Sequence, residues 1–142
     1  MDRIEKAAAD ILIVEDEVAH AEAIHEGLSR LGHRCLSVHD GATAIARLKT
    51  RSFDIVVTDL VLGGKEDGMA VLAAARELAP GAAVILITAH ASVATCRTAL
   101  QQGAYDYLEK PLDLDELRSV VARAAERTAQ RRTIRDMKNL SD

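Results

Sequence analysis

Aromatic side chains are nearly missing from this chain, which has two tyrosines, one phenylalanine and no tryptophan in 142 residues. Three rings cannot make a stacking platform for bases or sugars, so the core must be aliphatic. Cysteine is as scarce. Cys35 and Cys96 lie far apart and outside any CxxC pattern, which argues against a disulfide framework and a thiolate zinc site and suits a reducing compartment. Positive charge is not in excess either: 18 Lys and Arg against 22 Asp and Glu leave a net charge of −4, no field to draw the domain to nucleic acid or to an anionic membrane. No apolar run approaches the roughly 20 residues of a membrane span. The opening MDRIEKAAAD is charged within its first residues, unlike a secretory leader, so the expected location is cytoplasmic.

What the chain does have is aliphatic residues in a regular rhythm. Apolar residues make up 49% of it, enough for one compact unit without disulfides or a structural metal. Short β-branched or aliphatic runs fall at 11–14, 34–38, 54–59, 83–88 and 105–108, and between them lie Ala-rich segments of helical period at 18–31, 41–51, 68–79, 91–102 and from 113 onward. Turn residues punctuate the joints at Gly32, Asp40-Gly41, Pro80-Gly81, Gly103 and Pro111. Five strands alternating with five helices predict an α/β fold, and continuously apolar strands predict a parallel sheet covered on both faces. Such doubly wound sheets bind ligands beyond the carboxyl ends of their strands.

The strand ends carry chemistry. Strand one, ILIV, runs straight into Glu15, Asp16 and Glu17; strand three ends on Asp59, strand four on Thr88, and Lys110 follows strand five. Carboxylates gathered at one edge suit a hard cation such as Mg²⁺, bound through one or two carboxylates, waters and a substrate phosphate. Each residue also has an ordinary reading. Asp16 and Glu17 serve equally as an N-cap and first-turn acid of helix one, Asp59 as a turn residue, Thr88 as a β-branched strand end and Lys110 as a solvated amine. Their coincidence at strand ends favours the site.

The set ILIVEDE, VVTDL, DGMAVL, ILITAH and GAYDYLEKPLDLDEL closely resembles the receiver domain of two-component response regulators, over about residues 10–125. The resemblance implies a flavodoxin-like doubly wound five-stranded parallel sheet of order 2-1-3-4-5 with five helices. It divides the chain into an N-terminal extension (1–9), the receiver (10–125) and a helical extension or linker (126–142). It makes Asp59 the phosphoacceptor, taking a phosphoryl group from a sensor histidine kinase or phosphotransfer protein. Glu15, Asp16, Asp59 and the backbone carbonyl of Val61 would hold Mg²⁺, with Lys110 and Thr88 contacting phosphoryl oxygens as catalytic residues. Thr88 and Tyr107 would form the switch that alters the surface of helix four, strand five and helix five, and Val61 and His90 would tune dephosphorylation. Homodimerisation on phosphorylation is a common family consequence. The expected role is signalling, with an output such as transcription and no direct nucleic-acid contact by this domain, rather than a turnover enzyme.

The chain departs from the family pattern after Asp59. LVLGGKEDG puts Gly63 where receivers commonly have proline and Gly68 nine residues on rather than eight, so the loop is expected to be one residue longer and more flexible. His20, His25, His33 and His39 share no metal-ligand spacing and read as surface or helix-packing residues. The tail ERTAQRRTIRDMKNLSD has no helix breaker and reads as a solvated extension of helix five, with Ile134, Met137 and Leu140 too sparse for a coiled-coil seam. KPLDLDEL followed by a basic helix is similar to receivers that precede an ATPase domain in sigma-factor-dependent activators. Two other readings compete. A haloacid-dehalogenase-like phosphatase needs a second aspartate two residues after the nucleophile, where Val61 stands. A docking module without chemistry has no need of Glu15, Asp16, Asp59, Thr88 and Lys110 together.

Overall fold

The structure, a computed structural model, describes residues 7–141. Five strands, β1 (Asp10–Val14), β2 (Arg34–Val38), β3 (Ile55–Asp59), β4 (Ala83–Thr88) and β5 (Asp106–Glu109), alternate with α1 (Val18–Ser29), α2 (Gly41–Thr50), α3 (Gly68–Leu78), α4 (Val93–Gln101) and α5 (Leu114–Ser141). All pairings are parallel, in the order β2-β1-β3-β4-β5, as expected.

Strand periodicity sorts the core into two layers. Successive side chains on a strand point to opposite faces, so Ile11, Ile13, Ile55, Val57, Ile85 and Ile87 pack under α1 and α5 with Ile24, Leu28, Leu117 and Val121. Leu12, Val14, Val56, Val84 and Leu86 pack on the other face with Leu48, Val71, Leu72 and Ala75. Only the three central strands are apolar on both faces. β2 and β5 are edge strands and remain half-buried along most of their length, which is why RCLSV and DYLE carry polar residues.

Helix starts follow local capping chemistry in most places. Asp40 and Asp67 accept hydrogen bonds from the Thr43 and Ala70 amides, Ser92 and Thr95 form a capping box, and Asp113 accepts from the Asp115 amide. The box moves the start of α4 to Val93, later than the expected 91. α1 is the exception: Glu17 is its N-cap and makes no side-chain cap bond, so neither Asp16 nor Glu17 caps it as the ordinary reading required.

α5 continues unbroken through residue 141, and its extension is not solvated throughout. The Arg127 guanidinium stacks 4.5 Å from the Tyr105 ring centre, and Arg132 pairs with Asp54, a buried residue that also accepts from the Asp10 amide at 2.9 Å. These cations tie the first turns of the extension to the amino edge of the sheet. Ile134, Met137 and Leu140 are exposed beyond them. No helix among the described residues is long and apolar enough to cross a membrane.

Candidate functional site

β1 delivers Glu15 and Asp16 to the carboxyl edge of the sheet, and its neighbour β3 delivers Asp59. One ligand atom from each of these three lies within 4.8 Å of the others. Glu15 is 2% exposed and Asp59 6%, while Asp16 is exposed. Two buried carboxylates this close repel each other, and what opposes the repulsion is Lys110. Its Nζ donates to Asp59 Oδ2 at 2.7 Å and stands 3.5 Å from Glu15 Oε1. Partial burial draws the lysine pKa down, but the bond to Asp59 and the charges of Asp59 and Glu15 outweigh it and hold the ammonium above its usual value.

Glu15 is bonded on both oxygens. Its Oε2 accepts from the amide of Glu17, the N-cap residue of α1, at 3.0 Å. Its Oε1 lies 2.6 Å from His20 Nδ1. His39 Nδ1 lies 3.0 Å from the Glu15 backbone oxygen, so a second imidazole borders the same residue. Spacing along the chain did not reveal either histidine. His20 is five residues from Glu15 across a strand-to-helix turn, and His39 arrives from the end of the neighbouring strand. The reading of His20 as a surface or helix-packing residue is therefore corrected: it touches a member of the carboxylate cluster. His25 and His33 stay apart from it, bonded to Ser37 Oγ at 2.9 Å and to the Ala9 amide at 3.1 Å.

The loop after β3 closes one side of the cluster. A Cβ on Gly68 would lie 2.4 Å from the Asp59 carbonyl oxygen and 2.6 Å from Leu60 Cα, and the Gly68 amide donates to the Leu60 oxygen at 2.9 Å. Glycine at 68 therefore lets α3 start directly against the residue that follows the sheet. Gly63 passes Asp16, with a Cβ there 4.0 Å from Asp16 Oδ2, and Gly64 adopts φ +90°. Val61 sits in this loop with its side chain exposed.

Thr88 and Tyr107 occupy neighbouring strands. The Thr88 side chain is 1% exposed and its Oγ1 accepts from the His90 amide at 3.2 Å, while the His90 side chain is exposed. The Tyr107 hydroxyl lies 3.2 Å from Thr95 Oγ1, the same hydroxyl that completes the capping box of α4. The tyrosine is therefore linked to the first turn of α4, a partner that its position in the sequence did not indicate.

A five-stranded doubly wound sheet with a carboxylate cluster and one lysine at its carboxyl edge defines a class of phosphoryl- or cation-binding α/β domains. Within that class the chain belongs to the response regulator receiver domain family, which it matches over residues 11–122. It is similar to the transcriptional regulatory protein ZraR of Escherichia coli O157:H7, with 35% identity over 119 residues covering 84% of this chain and 27% of that protein. It is also similar to the nitrogen assimilation regulatory protein NtrX of Azorhizobium caulinodans, at 32% identity over 94% of this chain and 30% of that one. The crystal structure of NtrX from Brucella abortus superposes with a TM-score of 0.83 at 35% identity, covering 92% of this chain and 29% of that one. The signal receiver domain of a putative Luxo repressor protein from Vibrio parahaemolyticus gives 0.84 at 28% identity, covering 89% and 97%. The two curated relatives carry the names of transcriptional and nitrogen assimilation regulators. The chain spans less than a third of the length of the curated relatives it matches.

Proposed function

We propose that this domain accepts a phosphoryl group on Asp59 from a phosphohistidine of a sensor histidine kinase or phosphotransfer protein, and that Mg²⁺ is required. The observation that carries the reading is the buried Asp59 carboxylate at a strand end, with Lys110 at 2.7 Å and the Glu15 and Asp16 oxygens within 4.8 Å. In the transfer, an Asp59 oxygen attacks phosphorus, the phosphorus–nitrogen bond breaks, and its electron pair returns to the donor imidazole. An acyl phosphate remains. The three carboxylates fit a hard oxygen-binding cation, and the Val61 carbonyl in the adjoining loop completes the proposed ligand set. Bound there, Mg²⁺ supplies charge neutralisation and orientation for the phosphoryl oxygens. Lys110 supplies a second positive charge at the same oxygens, and positioning with charge neutralisation is most of what this chemistry demands.

Thr88 and Tyr107 form the proposed switch. The Thr88 oxygen now accepts from the His90 amide, and a phosphoryl oxygen would offer its O–H an anionic acceptor. A Thr88 that moves toward Asp59 vacates space for the Tyr107 ring. Turning inward breaks the Tyr107 bond to Thr95 and loosens the first turn of α4. The α4-β5-α5 surface is then the output, controlling transcription through the rest of the regulator and, on activation, through a two-fold dimer contact. His90 and Val61 flank the route of an attacking water and set the rate of dephosphorylation. The domain assists its own phosphorylation and dephosphorylation without acting as a turnover enzyme.

Incubation with Mg²⁺ and acetyl phosphate, followed by intact-mass measurement, tests the reading. One phosphoryl group per chain in the wild type and none in Asp59→Asn is the expected result. Sustained phosphate release favours a phosphatase, and no reaction favours a docking module.

A further inference from the structure

The α5 extension places a cationic stripe beside the amino edge of the sheet, the end opposite Asp59. Thr128, Arg131, Arg132 and Arg135 stand at i, i+3, i+4 and i+7 and share one helix face. Across from them the joint between α2 and β3 contributes Lys49 and Arg51, and the two sides line a cleft of about 650 Å³ in which Asp54 is the one acid among the described residues. That volume suits a small ligand. Asp54 is already committed, because it is buried, its Oδ2 accepts from the Asp10 amide at 2.9 Å and its Oδ1 holds Arg132. Among the described residues no carboxylate pairs with Lys49, Arg131 or Arg135. Arg131 and Arg135, four residues apart on one helix, repel each other.

We infer that this cleft binds a compact anion carrying two or more linked phosphate groups, either inorganic pyrophosphate or the phosphate chain of a nucleotide, and that the bound anion fastens the α5 extension to the α2–β3 joint. Guanidinium groups present paired N–H donors that match phosphate oxygens, and cations reaching in from two elements suit an anion with charge on more than one phosphorus. The chain's net charge of −4 does not set the field here, because exposed charges more than about 8 Å away are largely screened at physiological salt.

An ordinary role covers part of the cluster. Lys49 and Arg51 stand at the C-terminal end of α2, where cations offset the helix dipole, and the Arg51 guanidinium lies 5.0 Å from the Phe53 ring centre. Arg131 and Arg135 have no such role, since they lie inside α5 and short of its last turn. A nucleic-acid strand needs cations spaced along an extended track, whereas these converge on one concavity.

Calorimetric titration of the untagged chain in Mg²⁺-free buffer at about 150 mM salt tests the site, with pyrophosphate, ATP, orthophosphate and a short DNA duplex as probes. Pyrophosphate and ATP are expected to bind one to one, and orthophosphate about tenfold or more weakly. Equal affinities for the first two assign recognition to the phosphate chain alone, and tighter binding of ATP makes a nucleotide the source. Arg131→Gln combined with Arg135→Gln should weaken pyrophosphate binding about tenfold or more, while Arg123→Gln, on the same helix but outside the cleft, should leave it unchanged. Circular dichroism melts verify that both variants are folded. Amide resonances of Arg51, Ser52, Thr128 and Arg131 should move with pyrophosphate, and those of Asp59 and Lys110 should stay. No saturable binding at this salt concentration overturns the inference and leaves the stripe as a solvated face. Binding that survives in the double variant, or that moves only the resonances beside Asp59, overturns it by placing the anion elsewhere. A duplex bound more tightly than pyrophosphate and lost in the double variant overturns it in favour of a nucleic-acid surface.

Discussion

Lys110 Nζ donates to Asp59 Oδ2 at 2.7 Å and lies 3.5 Å from Glu15 Oε1, so one ammonium serves two buried carboxylates, one ending β3 and one just past the end of β1. Removing it leaves both acids without their cation. Lys110→Met is therefore expected to destabilise the fold by about 2 kcal/mol, below the 3–5 kcal/mol of a fully enclosed pair because the site is partly open to solvent. The loss should shrink when Asp59→Asn is made in the same chain, since the amide no longer needs the lysine. Urea denaturation of the two single variants and the double variant checks this. Equal losses with and without the Asp59 charge would show that Lys110 acts through packing instead.

Asp16 is exposed and makes no helix cap, so its charge is free to act on the cluster. Like charges about 4 Å apart repel by roughly 4 kcal/mol at an effective dielectric of about 20, and solvent at this open edge lowers that to about 1 kcal/mol. Asp16→Asn is expected to raise the melting temperature without Mg²⁺ by about 4 °C. It should also lose most of the rise that millimolar Mg²⁺ gives the wild type through binding to the folded state. Melts of both proteins with and without Mg²⁺ measure this, and four identical temperatures would remove the metal site.

The Tyr107–Thr95 bond predicts where a phosphoryl mimic is felt. Beryllofluoride with Mg²⁺ is expected to move the amide resonances of Ser92, Thr95 and Tyr107 as well as those beside Asp59. In Tyr107→Phe the α4 changes should diminish while those at Asp59 persist. Changes confined to the loops around Asp59 in the wild type would rule out this switch.

Gly68 predicts a steric cost. A methyl group there would press on the Asp59 oxygen and Leu60 Cα, both backbone atoms with no room to yield. Gly68→Ala should cost about 3 kcal/mol. Gly64→Ala, where φ is +90° but nothing lies within 4 Å, should cost only the backbone strain of about 1 kcal/mol. Denaturant midpoints of the two variants give the comparison.

His33 predicts the acid side of the stability curve. The ring is 7% exposed and its Nδ1 accepts the Ala9 amide, which requires that nitrogen to be unprotonated. Burial, and then the Arg34 charge, push its pKa below the usual 6.5. The unfolded chain therefore takes up a proton before the folded one does, and stability present above about pH 6.5 falls as pH drops toward the folded value. His33→Gln is expected to lose less stability between about pH 7.5 and pH 5 than the wild type. Parallel slopes in thermal melts across that range would assign the acid sensitivity to other groups.

The alternation of aliphatic runs and Ala-rich segments was sufficient to place all ten elements, because the strand and helix periods are local properties of the chain. The parallel sheet then followed from the apolar strands, and the carboxyl-edge rule brought Glu15, Asp16, Asp59, Thr88 and Lys110 to one end of it. Those positions depend only on where strands stop. Tertiary structure alone decided what each side chain touches there. It buried Glu15 and left Asp16 exposed, although the two are adjacent, because consecutive residues leave a strand in opposite directions. It turned His20 and His39 onto Glu15, set Gly68 against the Asp59 backbone and tied the α5 extension to the sheet through Arg132 and Asp54, 78 residues apart. Contacts of this kind depend on the direction of a turn and on the packing of distant elements, which no spacing along the chain encodes.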